Sequence, residues 1–169
     1  MKKAVVTLVN RDPKGTPIGD LVLTMEFVTT LPAPSTSLFS FTIQKEGQNP
    51  LRFSLICDDA GDFFKQLEDL MYATQPDPIT PATVYHTADS NGNPNGTVGI
   101  KTTLYIYTDP SGSQFKYYSY SLLPDSDVEM GFLLGTDDAD VFYYDFDCFL
   151  SSNPPNSARR LKWTPAALR

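Results

Sequence analysis

Alternation of large apolar with small polar residues recurs along the chain, and it recurs in register with itself. "FSFTI" at 39–43 places Phe39, Phe41 and Ile43 on one face; 79 residues later "YSYSL" at 118–122 does the same with Tyr118, Tyr120 and Leu122. The same offset carries "LRFSLI" (51–56) onto "MGFLLG" (130–135), "LVLTMEFV" (21–28) onto "IKTTLYIY" (100–107), and "AVVTLV" (4–9) onto "TVYHTA" (83–88). A period of two is that of a half-buried strand. After the fourth strand of each set the period changes. "CDDAGDFFKQLEDLM" (57–71) and "TDDADVFYYDFDCFL" (136–150) bring Phe63, Leu67, Leu70 and Met71, and then Phe142, Phe146, Phe149 and Leu150, to i, i+4, i+7 and i+8. That spacing is the buried stripe of an amphipathic helix.

The pattern predicts an α+β fold of two tandem ββββα repeats, with two antiparallel sheets, a helix after each, and a pseudo-twofold relation between them. Residues 1–151 are expected to form a single domain: 1–72 the first repeat, "ATQPDPITP" (73–81) a linker, and 82–151 the second repeat. A Pro-containing linker and basic C-terminal tail fill 152–169. The turns "DPKGT" (12–16) and "NPNGT" (93–97) share Pro and Gly at fixed places, as tight turns require. Aligning them moves the offset to 81 and implies a loop two residues longer in the second copy.

Acidic residues gather where each helix begins: Asp58, Asp59 and Asp62, then Asp137, Asp138 and Asp140. They are expected to cap the exposed N–H groups and favour the positive end of the dipole, with Thr136 or Asp137 and Asp140 forming a capping-box-like opening. Capping accounts for them at both helix starts, so no metal is assigned. No Walker loop, GxGxxG or HExxH is present, and His86, the single histidine, falls in a predicted strand. The expectation is a protein that is not an enzyme and needs no cofactor.

Composition is 41% hydrophobic and 12% aromatic, and no apolar run reaches the roughly 20 residues of a membrane-spanning helix. The apolar start of "KKAVVTLV" is too short for a signal peptide, so a cytoplasmic protein without membrane contact is expected. Cys57 and Cys148 lack CxxC spacing and read as two reduced, buried thiols. The net charge of −7 is unevenly spread. All 20 acids lie between Asp12 and Asp147, against nine lysines and arginines before the tail, whereas "SARRLKWTPAALR" carries Arg159, Arg160, Lys162 and Arg169 and no acid. Such a tail is suited to an anion or to its own acidic body.

"LRFSLICDDAGDFFKQLEDLMY" (51–72), a strand, an acidic turn and an aromatic-led helix, resembles the closing section of a PUR repeat. The doubled ββββα order is similar to that of the PUR-repeat and Whirly families, although the Lys-Gly-Lys-Ala motif of Whirly proteins has no counterpart. The resemblance implies a binder of single-stranded nucleic acid; exposed strand edges add the expectation of a homo-oligomer.

Bases are held by aromatic platforms and phosphates by cations. If Ile100, Leu104, Tyr118 and Tyr120 face inward, alternation turns Lys101, Tyr105, Tyr107, Phe115 and Tyr117 outward, a set that the first repeat lacks. With Arg159, Arg160, Lys162 and Trp163 of the tail, these are the candidate nucleic-acid contacts. The same aromatics also fit two other roles: support across neighbouring strands, or a protein interface in a phage or viral structural or assembly protein. A virus- or phage-encoded protein of the host cytoplasm, meeting a single strand or a protein partner, is the expectation carried forward.

Overall fold

The computed structural model describes residues 2–29, 37–76, 81–125 and 128–152. The first repeat comprises β1 (Lys3–Arg11), β2 (Pro17–Thr29), β3 (Ser37–Lys45), β4 (Leu51–Ile56) and α1 (Cys57–Met71). The second comprises β5 (Thr83–Ala88), β6 (Pro94–Thr108), β7 (Gln114–Pro124), β8 (Met130–Leu134) and α2 (Thr136–Ser152). Each set of four strands forms its own antiparallel sheet in sequential order, so the fold is α+β, with ββββα occurring twice. β1 lies along β8 and β4 along β5. Exchanging the repeats converts one contact into the other, as a pseudo-twofold requires.

One face of each sheet, together with the helical stripes, forms a single core. Phe41 of β3 stacks on Phe53 at 5.3 Å and on Phe146 of α2 at 5.5 Å. Phe146 also stacks on Phe64 of α1 at 5.5 Å, and Phe64 on Tyr143 at 5.3 Å. The column crosses from one repeat to the other three times, and offset aromatic pairs of this kind add about 0.5–1.5 kcal/mol each beyond the area they bury. Hydroxyls tie the helices at their margins: Tyr143 donates to Glu68 at 2.9 Å, and Tyr85 donates to Asp62 at 2.6 Å while accepting from Gln66. Burial and the neighbouring Asp62 push the Tyr85 phenol well above its ordinary value.

Cross-strand pairing corrects the alignment of the two hairpins. Asn10 opposes Gly19 and Thr87 opposes Gly96, each just before an irregularity that places Arg11 against Pro17 and Ala88 against Pro94. The two glycines share an unusual backbone, φ 145° and 151°. Pro17-Ile18-Gly19 therefore corresponds to Pro94-Asn95-Gly96, and the turn at 12–16 corresponds to 89–93; residues 94–97 belong to β6. The turns agree in detail: Asp12 Oδ1 accepts the Lys14 and Thr16 N–H groups, and Asp89 Oδ1 accepts those of Asn91 and Asn93.

The extra length of the second copy lies instead in its β6–β7 hairpin. Phe27 opposite Phe39 corresponds to Leu104 opposite Tyr118; beyond that point the first hairpin pairs two further residues, to Thr29, and the second pairs four, to Thr108. Tyr107 and Phe115 sit on this extension.

Helix capping also departs from expectation. Ile56 occupies the position before α1 and makes no side-chain cap bond, while the Gly135 carbonyl before α2 accepts the Ala139 N–H. Asp58, Asp59, Asp137 and Asp138 lie in the first turns, where they meet the helix dipole without standing at the cap. Cys57 is buried as expected, but Cys148 is exposed, since it falls off the α2 stripe of Phe142, Phe146 and Phe149.

Candidate nucleic-acid interface

Alternation along β6 and β7 decides which aromatics leave the core. Ile100, Leu104, Tyr118, Tyr120 and Leu122 are buried, so Tyr105 opposite Tyr117 and Tyr107 opposite Phe115 stand on the outer face of the second sheet. The Tyr107 and Phe115 rings lie 6.4 Å apart at 25°. Tyr105 and Phe115 are 38% and 44% exposed; Tyr107 and Tyr117 are half-buried. Lys101 shares the face opposite Ser121, but it is four residues from Tyr105 along β6, about 13 Å at strand rise. It stands across the polar Thr103 and Ser119 rather than beside the rings. Arg159, Arg160, Lys162 and Trp163 lie outside the described residues.

The outer face of the first sheet is different in kind. Ser40 and Ser54 join hydroxyls at 2.6 Å, Lys3 pairs with Glu26 at 3.5 Å, and Thr24, Thr42 and Arg52 line a shallow depression with them. Among the described residues no aromatic ring interrupts it, so the ring platform belongs to the second repeat.

Packing of the repeats adds groups that alternation did not single out. The β1–β2 turn reaches over the outer face of the second sheet: a Cβ at Gly15 would lie 2.0 Å from the Tyr117 hydroxyl, so this glycine permits the approach. Beneath the hairpin, β8 is the last strand of its sheet, and side chains of the first repeat occupy its edge. Leu133 N–H donates to Asn10 Oδ1 at 3.0 Å, and Lys45 Nζ donates to the Gly131 carbonyl at 2.7 Å. An edge covered in this way is closed to further strand pairing. Arg11 is held by its Nη1 bond to the Gly15 carbonyl at 2.8 Å.

Between the hairpin and the outer face lies a cleft of about 380 Å³ lined by Arg11, Ile18, Lys45, Tyr105, Ser121 and Glu129, among others. A second depression of about 510 Å³ opens on the other side of Arg11, bordered by Phe115, Lys116, Tyr117 and the start of α2. Tyr105 and Lys45 thus line the first, Phe115 and Tyr117 the second, and Arg11 both; Lys116, between those two rings and opposite Ile106, points by alternation to the other face of the sheet.

Comparison with known proteins returns no match. No family model fits the chain, and neither the curated proteins nor the solved structures give a significant similarity.

The site is mixed in charge. Asp12 and Glu129 line the first cleft, and Asp137 and Asp138 border the second depression. At the tip of the β6–β7 hairpin, the Ser111 hydroxyl and then backbone N–H groups hold the Asp109 carboxyl below the usual carboxylate range, which fixes a negative charge there. Asp12 is engaged by its own turn, and Glu129 accepts from the Ser121 hydroxyl. Among the described residues no helix is long and apolar enough to cross a membrane.

Proposed function

We propose that this protein is a non-enzymatic binder of single-stranded DNA or RNA, and that the strand lies on the outer face of the second sheet. The observation that carries the reading is the pairing of four outward aromatics, Tyr105 with Tyr117 and Tyr107 with Phe115, on a face to which the other repeat adds Arg11 and Lys45. Stacking of a base on an aromatic side chain is worth about 1–3 kcal/mol and tolerates any sequence. Cations follow the phosphates, and the basic tail adds to them. A net charge of −7 keeps the electrostatic share small. With two or three phosphates neutralised by the body, log K falls with log salt at a slope of roughly −1.4 to −2.1.

The test is fluorescence anisotropy with labelled oligo-dT and an RNA of equal length, at low and physiological salt, on the intact chain and on one ending at Ser157. Binding should weaken with salt and on loss of the tail, and Tyr105→Ala should weaken it about 5- to 150-fold. No binding of either polymer at low salt would refute the reading.

A second reading, a homo-oligomeric assembly component without nucleic-acid contact, is favoured by the opposite end of the same face. There Val84, Gly99 and Leu123 align across three strands, with Val84 63% and Leu123 40% exposed. Association through this row would persist at high salt and be lost in Val84→Asp, as read by sedimentation.

A further inference from the structure

The cleft beside Tyr105 has the character of a pocket for one planar, polar-edged group. Its volume, about 380 Å³, falls in the range of small-molecule sites. Tyr105 lines one end of it, four residues along the sheet from the level of Ser121, and the exposed Ile18 of the β1–β2 hairpin lines it from the other repeat, so both offer apolar surface. Gly131 contributes no side chain to the floor, which leaves it open between Ser121 and Leu133.

The polar groups at the floor are already oriented by the fold. Lys45 spends one N–H on the Gly131 carbonyl and keeps two. Glu129 accepts the Ser121 hydroxyl on Oε1, leaving Oε2 an unshared acceptor among the described residues. Asp12, the other carboxylate of the lining, is committed through Oδ1 to its own turn. An acceptor-only group and a donor-only group, tied to the facing residues Ser121 and Gly131, therefore line one cleft together with apolar surface.

We propose that this cleft takes one base of the bound strand and selects bases with an exocyclic amino group, Glu129 accepting the amino N–H and Lys45 donating to the adjacent ring nitrogen. The inference rests on the single-strand reading above. An ionised carboxylate accepts and cannot donate. The N4 amino group of cytosine meets it as a donor, whereas thymine presents the O4 acceptor at the same place. The lone ring N–H of thymine sits between two carbonyl oxygens, which a carboxylate repels. Adenine offers the same donor beside an acceptor as cytosine does.

Labelled oligo-dC and oligo-dT of equal length make the comparison, since the two pyrimidines stack alike. On the wild-type chain oligo-dC should bind about tenfold more tightly than oligo-dT, the low end of the discrimination a directed hydrogen bond gives. Glu129→Gln, an exposed substitution near the start of β8, should bring the ratio close to one without changing the salt slope, because no phosphate contact is altered. Salt-sensitive binding of both oligomers with equal affinity on the wild type would overturn the base selection and leave the single-strand reading in place. So would a preference that survives Glu129→Gln. Absence of binding to either oligomer would overturn both.

Discussion

Gly15 and Gly112 occupy the same turn in two hairpins, and substituting each by alanine separates backbone strain from a tertiary contact. Both have φ of 87°, and both follow an aspartate, Asp12 or Asp109, whose Oδ1 accepts N–H groups two and four residues on. Placing an L side chain in this left-handed region costs about 1–2 kcal/mol. At Gly112 nothing lies within 4 Å of the new Cβ, so Gly112→Ala should cost that and no more. At Gly15 the Cβ would fall 2.0 Å from the Tyr117 hydroxyl oxygen and 2.7 Å from the ring carbon bearing it. Tyr117 must then swing aside or the hairpin must lift, which adds roughly 1–3 kcal/mol as overpacking does. At roughly 2–4 °C per kcal/mol for a chain of this size, Gly15→Ala should melt about 2–12 °C below Gly112→Ala.

Thermal unfolding followed by circular dichroism reads the difference, and a double-mutant cycle assigns it. In a Tyr117→Ala background Gly15→Ala should cost no more than Gly112→Ala, since the clashing atoms are gone. Equal melting of the two single variants would show that the β1–β2 turn does not rest on Tyr117, and the cleft beside it would lose its wall. Gly15→Ala should also weaken single-strand binding, because Tyr117 leaves its place opposite Tyr105.

Two further outcomes test the core. Phe146 is fully buried and touches rings of β3, α1 and its own helix, so Phe146→Ala should cost about 3–5 kcal/mol while both repeats still unfold in one transition. A loss under about 1 kcal/mol, or two separate transitions, would contradict a shared core. Burial holds the Tyr85, Tyr118, Tyr120 and Tyr143 phenols above their ordinary value near 10. Below pH 10 these phenols are protonated in both states and their contribution is complete. Above it the unfolded chain ionises while the buried phenols do not, so stability falls as pH rises. Urea midpoints between about pH 8 and 11 should show that decline, with Tyr120→Phe shallower than wild type; a flat profile would refute it.

Strand parity and the helical stripes were legible because burial of one face imposes a period that a single sequence displays. Phe39, Phe41 and Ile43, or Phe142, Phe146 and Phe149, announce their side by spacing alone, and the outward Tyr105, Tyr107, Phe115 and Tyr117 follow as the complement. Correspondence between the hairpins was not legible. The first copy holds two Pro-x-Gly triplets, at 13–15 and 17–19, and local sequence does not say which one matches 94–96. The irregularity at Asn10 and Thr87 decides for the second. The inward and outward faces survived the misalignment of β2 with β6 because the error was two residues, an even number that preserves side-chain direction.

The sequence by itself determined the repeat, the element order and the faces, each set by contacts within a strand, a helix or a hairpin. Only the tertiary structure brought Arg11, Ile18 and Lys45 of one repeat onto Tyr105, Ser121 and Glu129 of the other. Arg11, Ile18, Lys45 and Glu129 stand at or beside strand ends, where periodicity ceases to carry information. Their meeting follows from the edge contact of β1 with β8, which depends on how two cores merge into one.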